Sequence, residues 1–271
     1  QLVRVDPLPS GVLRPFPSPA LSHLDPFVFL DTGAPLRLGT RDIYVGPHAH
    51  RGVQPVSLLF RGRIEHRDSL GHHATVTSGG MQWLVAGSGA LHEEVLYGDD
   101  DGVFHMAQLW VDLPAARKWT APEHHAVPSS AVPVLHGQGT RVRLYAGTLG
   151  DQEGPAPLGT PVRIAHVALD AAATLRLPAE PGWTVAVTSV AGTIGIGEAS
   201  LGPGATAVFA DDGTAIELHG TVGGEALVLM GQPIGQAIVT GAGFVMNTAA
   251  EIDEAFADEA AGRMGVLTPS R

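Results

Sequence analysis

Cysteine is absent from all 271 residues, which excludes disulfides, thiolate zinc sites, iron–sulfur clusters and cysteine nucleophiles. Any bound metal must therefore sit on histidine, carboxylate or water. Basic residues are scarce too: 16 Lys plus Arg against 27 Asp plus Glu leave a formal net charge of −11, which repels a phosphate backbone and argues against direct nucleic-acid binding. No stretch reaches the roughly eighteen consecutive apolar residues of a membrane span. Positions 1–19 alternate apolar residues with Pro and Arg and lack the uninterrupted apolar core of a signal peptide. A cytoplasmic protein with no membrane association is the resulting expectation.

What the chain does contain points to β structure. Hydrophobic residues make up 44% and charged residues 16%, with 35 Gly and 21 Pro to supply turns; many short elements fit this better than a few long helices. Runs of β-branched and apolar residues at 53–60, 75–77, 81–86, 104–111, 141–146, 162–169, 184–190, 205–209, 215–219 and 226–230 read as strands, and Gly, Asp and Pro separate them. The segment 114–133 holds four prolines and reads as an irregular excursion. Beyond it the strand series weakly echoes the first: residues 56–64 and 185–194 share a strand, a Gly break (Gly62, Gly192) and a second short strand. An all-β chain of two tandem barrels follows, with domains at 1–135 and 136–271. One helix is expected near 248–261 in the second domain. Thr248 and Glu251 have capping-box spacing, Ile252, Ala255 and Phe256 make an apolar stripe, and Gly262 supplies the stop.

Most of the 13 histidines carry no individual signal, but two groups do. His48-Ala49-His50 and His92-Glu93-Glu94 each place two ligand-type residues one residue apart. On a strand, positions i and i+2 share a face, so each pair can aim inward while Ala49 or Glu93 points away. Three imidazoles and one carboxylate suit a borderline-to-hard divalent ion, Fe(II), Mn, Ni, Co or Zn, and an octahedral ion would keep two positions open. His66, His72 and His73 beside a Gly-containing turn read as exposed, and His166 and His219 as structural. His124-His125 could border a pocket mouth, with exposure the default. Ser88 between two glycines is a turn residue, because no helix follows it.

Several longer motifs resemble one family. Pro47-His48-Ala49-His50-Arg51-Gly52 and the run from Arg61 to Gly71 are similar to the first cupin motif of pirin-family proteins, and the run from Met81 to Glu94 to the second. Gln108-Leu109-Trp110-Val111-Asp112-Leu113-Pro114 and Gly243-Phe244-Val245-Met246-Asn247 continue the match. The resemblance implies a bicupin with one metal in the N-terminal barrel, held by His48, His50, His92 and Glu94, and a C-terminal barrel without metal. Gln54 stands where the family usually has Glu, and Ser78-Gly79-Gly80 replaces a Pro-Gly-Asp turn.

What the resemblance implies about activity is a quercetin 2,3-dioxygenase-like enzyme that uses dioxygen on a flavonol or enol. One divalent transition metal, Fe(II) first with Mn, Ni, Co or Zn as alternatives, would be the cofactor. Glu94 is the candidate catalytic base. The alternative is a non-enzymatic, metal-binding regulator acting through a protein partner, and a monomer is expected for either.

Overall fold

In the computed structural model, which describes residues 1–271, the two histidine-bearing segments are neighbouring strands. Asp42–His50 pairs antiparallel with Ala90–Tyr97, which pairs in turn with Arg63–Asp68, and His73–Thr77 closes this four-stranded sheet. The facing layer runs Glu123–Val127, Met81–Val85, Val53–Arg61 and Val103–Asp112. The expected irregular excursion thus contains a strand: Glu123 to Val127 pair with Val85 to Met81, and the prolines at 122 and 128 flank it, where a missing N–H removes no ladder bond.

Alternation along these strands gives the barrel interior two zones. Leu59, Ile64 and Leu96 pack with Leu38, Val76 and Phe104 into an apolar plug. Two residues along the same inner faces come Ser57, His66 and Glu94, which border a polar cavity. The inner face of each strand therefore changes from apolar to polar over one two-residue step, because side chains on a strand share a face at every second residue.

By its contacts the chain divides into two compact units, Gln1–Pro35 with Ser130–Pro233, and Leu36–Ser129 with Ile234–Arg271. The expected boundary near residue 135 falls close to one crossing point. The two ends of the chain do not follow the expected sequential division, because the helix Ala249–Ala260 belongs to the unit of the His48 barrel. The helix begins as expected, with Thr248 and Glu251 closing both halves of the capping box. Ile252 and Ala255 are buried against Ala49, Phe244 and Met246, whereas Phe256 remains 43% exposed.

The other unit is built on a sheet ordered Leu2–Val3, Thr206–Val208, Thr184–Ile196, Ala215–Gly231, Val162–Leu169, Thr140–Ala146, Val134–Gly137. Its two longest strands span 13 and 17 residues and are bent by register shifts after Ser189 and Gly192. The interior is filled by Val142, Leu144, Val167, Val187, Leu218, Val228 and Met230 among others. His166 is buried and lies 2.8 Å from Glu225, a structural pair. Across the whole chain no helix is long and apolar enough to cross a membrane.

Candidate metal centre

His48 lies directly opposite His92 in the ladder, and Ala90 opposite His50. Between His92 and Glu94 the register slips, because Glu94 pairs with Val45; the extra residue is accommodated at Gly46-Pro47. Proline has no N–H to give the ladder, so the bulge forms where the strand loses least. His48 then turns its Nδ1 to the Gly46 carbonyl at 2.9 Å. His50 does the same with Gly243 at 3.0 Å. Each of these contacts places the ring proton on Nδ1 and leaves the Nε2 lone pair free.

The structure brings His48, His50 and His92 together, their ligand atoms within 4.8 Å of one another. His92 Nε2 is buried without any hydrogen-bond partner, a state that costs free energy unless something binds there. Glu94 lies in an overlapping group with His66 and His92 rather than with all three expected imidazoles. Its Oε1 accepts from Gln82 Nε2 at 2.5 Å, and Ser57 Oγ stands at 3.5 Å. The intervening residues point away as the strand period requires: Ala49 packs under the helix, and Glu93 accepts from the Tyr44 hydroxyl and Arg67 at 2.6 Å each and from the Ser270 amide at 3.2 Å.

Burial sets the charge states. Desolvation, helped by the neighbouring His48, pushes the His50 imidazole down to about 3, and desolvation with the surrounding imidazoles holds His92 well below its usual range. Both are thus neutral at pH 7, the form that can donate a lone pair to a metal. Desolvation also raises the Glu94 carboxyl, against the pull of His66, His48 and its hydrogen-bond donors.

His66 corrects the expectation of an exposed turn residue: it is 2% exposed and borders the cavity with His92 and Glu94. Its Nε2 lies 3.1 Å from Asp68. His124, one of two histidines assigned to a pocket mouth by the weaker reading, stacks on His66 at 3.8 Å with the rings 10° apart, while His72 and His73 are exposed. Gln54 is buried but is not among the cavity's lining residues. The signal that could have found His66 is its spacing to Asp68, an i, i+2 pair of the same kind as the other two.

The remaining space is small. Pro55, Ser57, Gln82, Trp83, Leu84, Gln108 and His124 complete the wall around His66, His92 and Glu94, and the cavity leaves about 10 Å³ for the centre of a water-sized sphere. That volume holds about one water or one ion.

The chain is similar to known proteins over most of its length. A Pseudomonas aeruginosa protein named provisionally as a quercetin 2,3-dioxygenase is 33% identical over 89% of this chain and 87% of its own length, and human pirin is 29% identical over 91% and 85%. The crystal structure of quercetin 2,3-dioxygenase from Acinetobacter baumannii superposes with a TM-score of 0.85 at 32% identity, covering 90% of this chain and 88% of that one. The pirin sequence profile matches residues 11–111, which include both histidine pairs, and the profile of the pirin C-terminal cupin domain matches residues 164–265; with two cupin domains in this order, the chain belongs to the pirin family.

Proposed function

We propose that His48, His50, His92 and Glu94 hold one divalent transition metal, and that the chain is a metal-dependent oxygenase acting on a flavonol or enol-type small molecule. The observation that carries the metal assignment is the convergence of three imidazoles, two with Nδ1 committed to backbone carbonyls and one with a buried, unpartnered Nε2. Donors of this kind fit Fe(II), Mn, Ni, Co or Zn. The similarity to proteins named for quercetin dioxygenation supports the reaction class.

When bound, the ion supplies Lewis acidity that lowers the pKa of an enol or flavonol hydroxyl and orients it. The protein's own part is to hold the ring tautomers, to keep the donors dry, and to receive the hydroxyl proton at a carboxylate oxygen of Glu94. The raised carboxyl of Glu94 suits it as the acceptor. Gln82 keeps that carboxylate in place at Oε1.

A flavonol needs far more room than one water, since small-molecule pockets commonly run to about 300 Å³ or more. The cavity beside His92 and Glu94, walled in part by the His66–His124 stack, is far too small to hold a flavonol. The same tight cavity is what favours the second reading, a metal-binding regulator with no turnover, which needs only the ion.

Oxygen uptake with quercetin, measured with added Fe(II), Mn, Ni or Co, separates the two. Metal-dependent uptake supports the oxygenase; tight metal binding without turnover of any flavonol or enol supports the regulator. His92→Ala is expected to remove metal and activity together. Full metal occupancy in that variant would refute the ligand assignment.

A further inference from the structure

His66, His92 and Glu94 are all buried and bring their ligand atoms within 4.8 Å of one another, beside the set of His48, His50 and His92. The Nδ1 atoms of His66 and His92 are 3.5 Å apart, longer than the roughly 2.7–3.2 Å of a good hydrogen bond. Two nitrogens at that separation, each about 2.1 Å from a shared ion, subtend about 113° at it, near the tetrahedral angle. The spacing thus fits a bridging cation better than a hydrogen bond.

The surroundings of His66 are those of a metal ligand. Its Nε2 faces Asp68 Oδ2 at 3.1 Å, and Asp68 is fixed by the His72 ring at 2.9 Å and by the Leu70 and His72 amides at 3.0 and 2.9 Å. A carboxylate on the remote nitrogen sets the tautomer so that the lone pair lies on Nδ1, and it strengthens the donor. The parallel stack with His124 fixes the plane of the ring. On Glu94, Gln82 and Ser57 both address Oε1, so Oε2 remains for an ion. The cavity that these three residues border is ion-sized, about 10 Å³.

We propose that the centre has two overlapping cation seats, the one already assigned to His48, His50, His92 and Glu94 and an inner one on His66, His92 and Glu94 alone, the second suited to a divalent ion that accepts tetrahedral geometry, such as cobalt(II) or zinc. A neutral imidazole has one ring lone pair, so His92 serves one seat at a time. The two seats then share one ion rather than hold two. This inference rests on the reading that the chain binds a divalent ion through these histidines.

Cobalt(II), added to the full-length protein, is the probe. The His48→Ala, His50→Ala double variant is expected to keep one cobalt per chain, with the visible absorption of a tetrahedral site, and to lose it when His66→Ala is added. A double variant that binds no cobalt while the unaltered protein binds one overturns the inner seat, as does binding that survives His66→Ala. Failure of the unaltered protein to bind cobalt would instead sink the metal reading itself. Should the double variant not fold, anomalous scattering from cobalt-soaked crystals of the unaltered protein decides: a peak between His66 Nδ1 and Glu94 supports the seat. A single peak on His48, His50 and His92 at saturation overturns it.

Discussion

His50 donates its Nδ1–H to the carbonyl oxygen of Gly243 at 3.0 Å, across 193 positions of sequence. The tautomer of a candidate metal ligand is therefore set by the C-terminal segment, whose strand Phe244–Met246 follows immediately. Gly243 tolerates no side chain here, since a Cβ would come within 2.0 Å of the Ala49 carbonyl oxygen and 3.2 Å of His50 Nδ1. Gly243→Ala is expected to push the two segments apart and weaken metal binding by about 10- to 100-fold, the usual effect of losing such a partner. A competition titration against a chromophoric chelator measures it, and unchanged affinity would show that His50 needs no help from Gly243.

Much of this was legible in the sequence, and the reasons for the gaps are physical. The i, i+2 spacing picked out His48, His50, His92 and Glu94 because a pleated strand turns alternate residues the same way. The strands that carry them, Asp42–His50 and Ala90–Tyr97, together with Arg63–Asp68, were missing from the apolar-run reading. Only part of each inward face is apolar, Ile64 and Leu96 among it; His48, His50, His66, His92 and Glu94 take the other positions, so the runs look polar. His66 was missed for the same reason: a polar residue near a Gly turn reads as solvated unless the barrel interior is itself polar at that level. The placement of the helix depended on where the chain returns in space, which no local pattern records.

Gln82 offers a test of how the Glu94 carboxylate is held. Its Nε2 donates to Oε1 at 2.5 Å inside a buried site, and a hydrogen bond to a charged group contributes about 1.5–3 kcal/mol. Gln82→Ala is expected to raise the Glu94 carboxyl further, because one of the donors that lower it is gone, and to weaken metal binding. Infrared measurement of the Glu94 carboxylate band against pH, with Glu94→Gln as reference, reads this directly. A titration that stays in place or moves down would contradict the role given to Gln82.

The buried imidazoles predict how the metal-free protein responds to acid. Burial lowers His50 and His124 to about 3 and lowers His92 in the same direction. An unfolded histidine titrates near about 6.5. As pH falls from about 6.5 towards 3, the unfolded chain takes up protons that the folded chain refuses, so stability is lost. Each such group adds up to about 1.4 kcal/mol per pH unit to the slope. Glu94 works against this, since its raised carboxyl gains a proton in the folded state first, but one group opposes three. The urea midpoint of chelator-treated protein is therefore expected to be lower at pH 5 than at pH 7. A midpoint that rises would mean that the imidazoles are not buried as neutral rings.

Lys118 tests the clamp that holds the C-terminal segment. Its ammonium donates to Asp112 and to the carbonyls of Gly52 and Val245 at 2.9 and 3.0 Å, and both side chains are 1% exposed. Lys118→Ala leaves the Asp112 carboxylate without its cation in a dry site, which costs about 3–5 kcal/mol. Replacing both partners by apolar residues of similar volume, Lys118→Met with Asp112→Leu, removes the unpaired charge and is expected to recover most of that loss. Gly52 and Val245 flank the strand bridge between Arg51 and Phe244, beside the His50–Gly243 contact, so the stability of Lys118→Ala and its metal affinity should fall together. Urea unfolding and the chelator titration on the same samples check both. Lost stability with undiminished affinity would mean that His50 is held by the Gly243 turn alone.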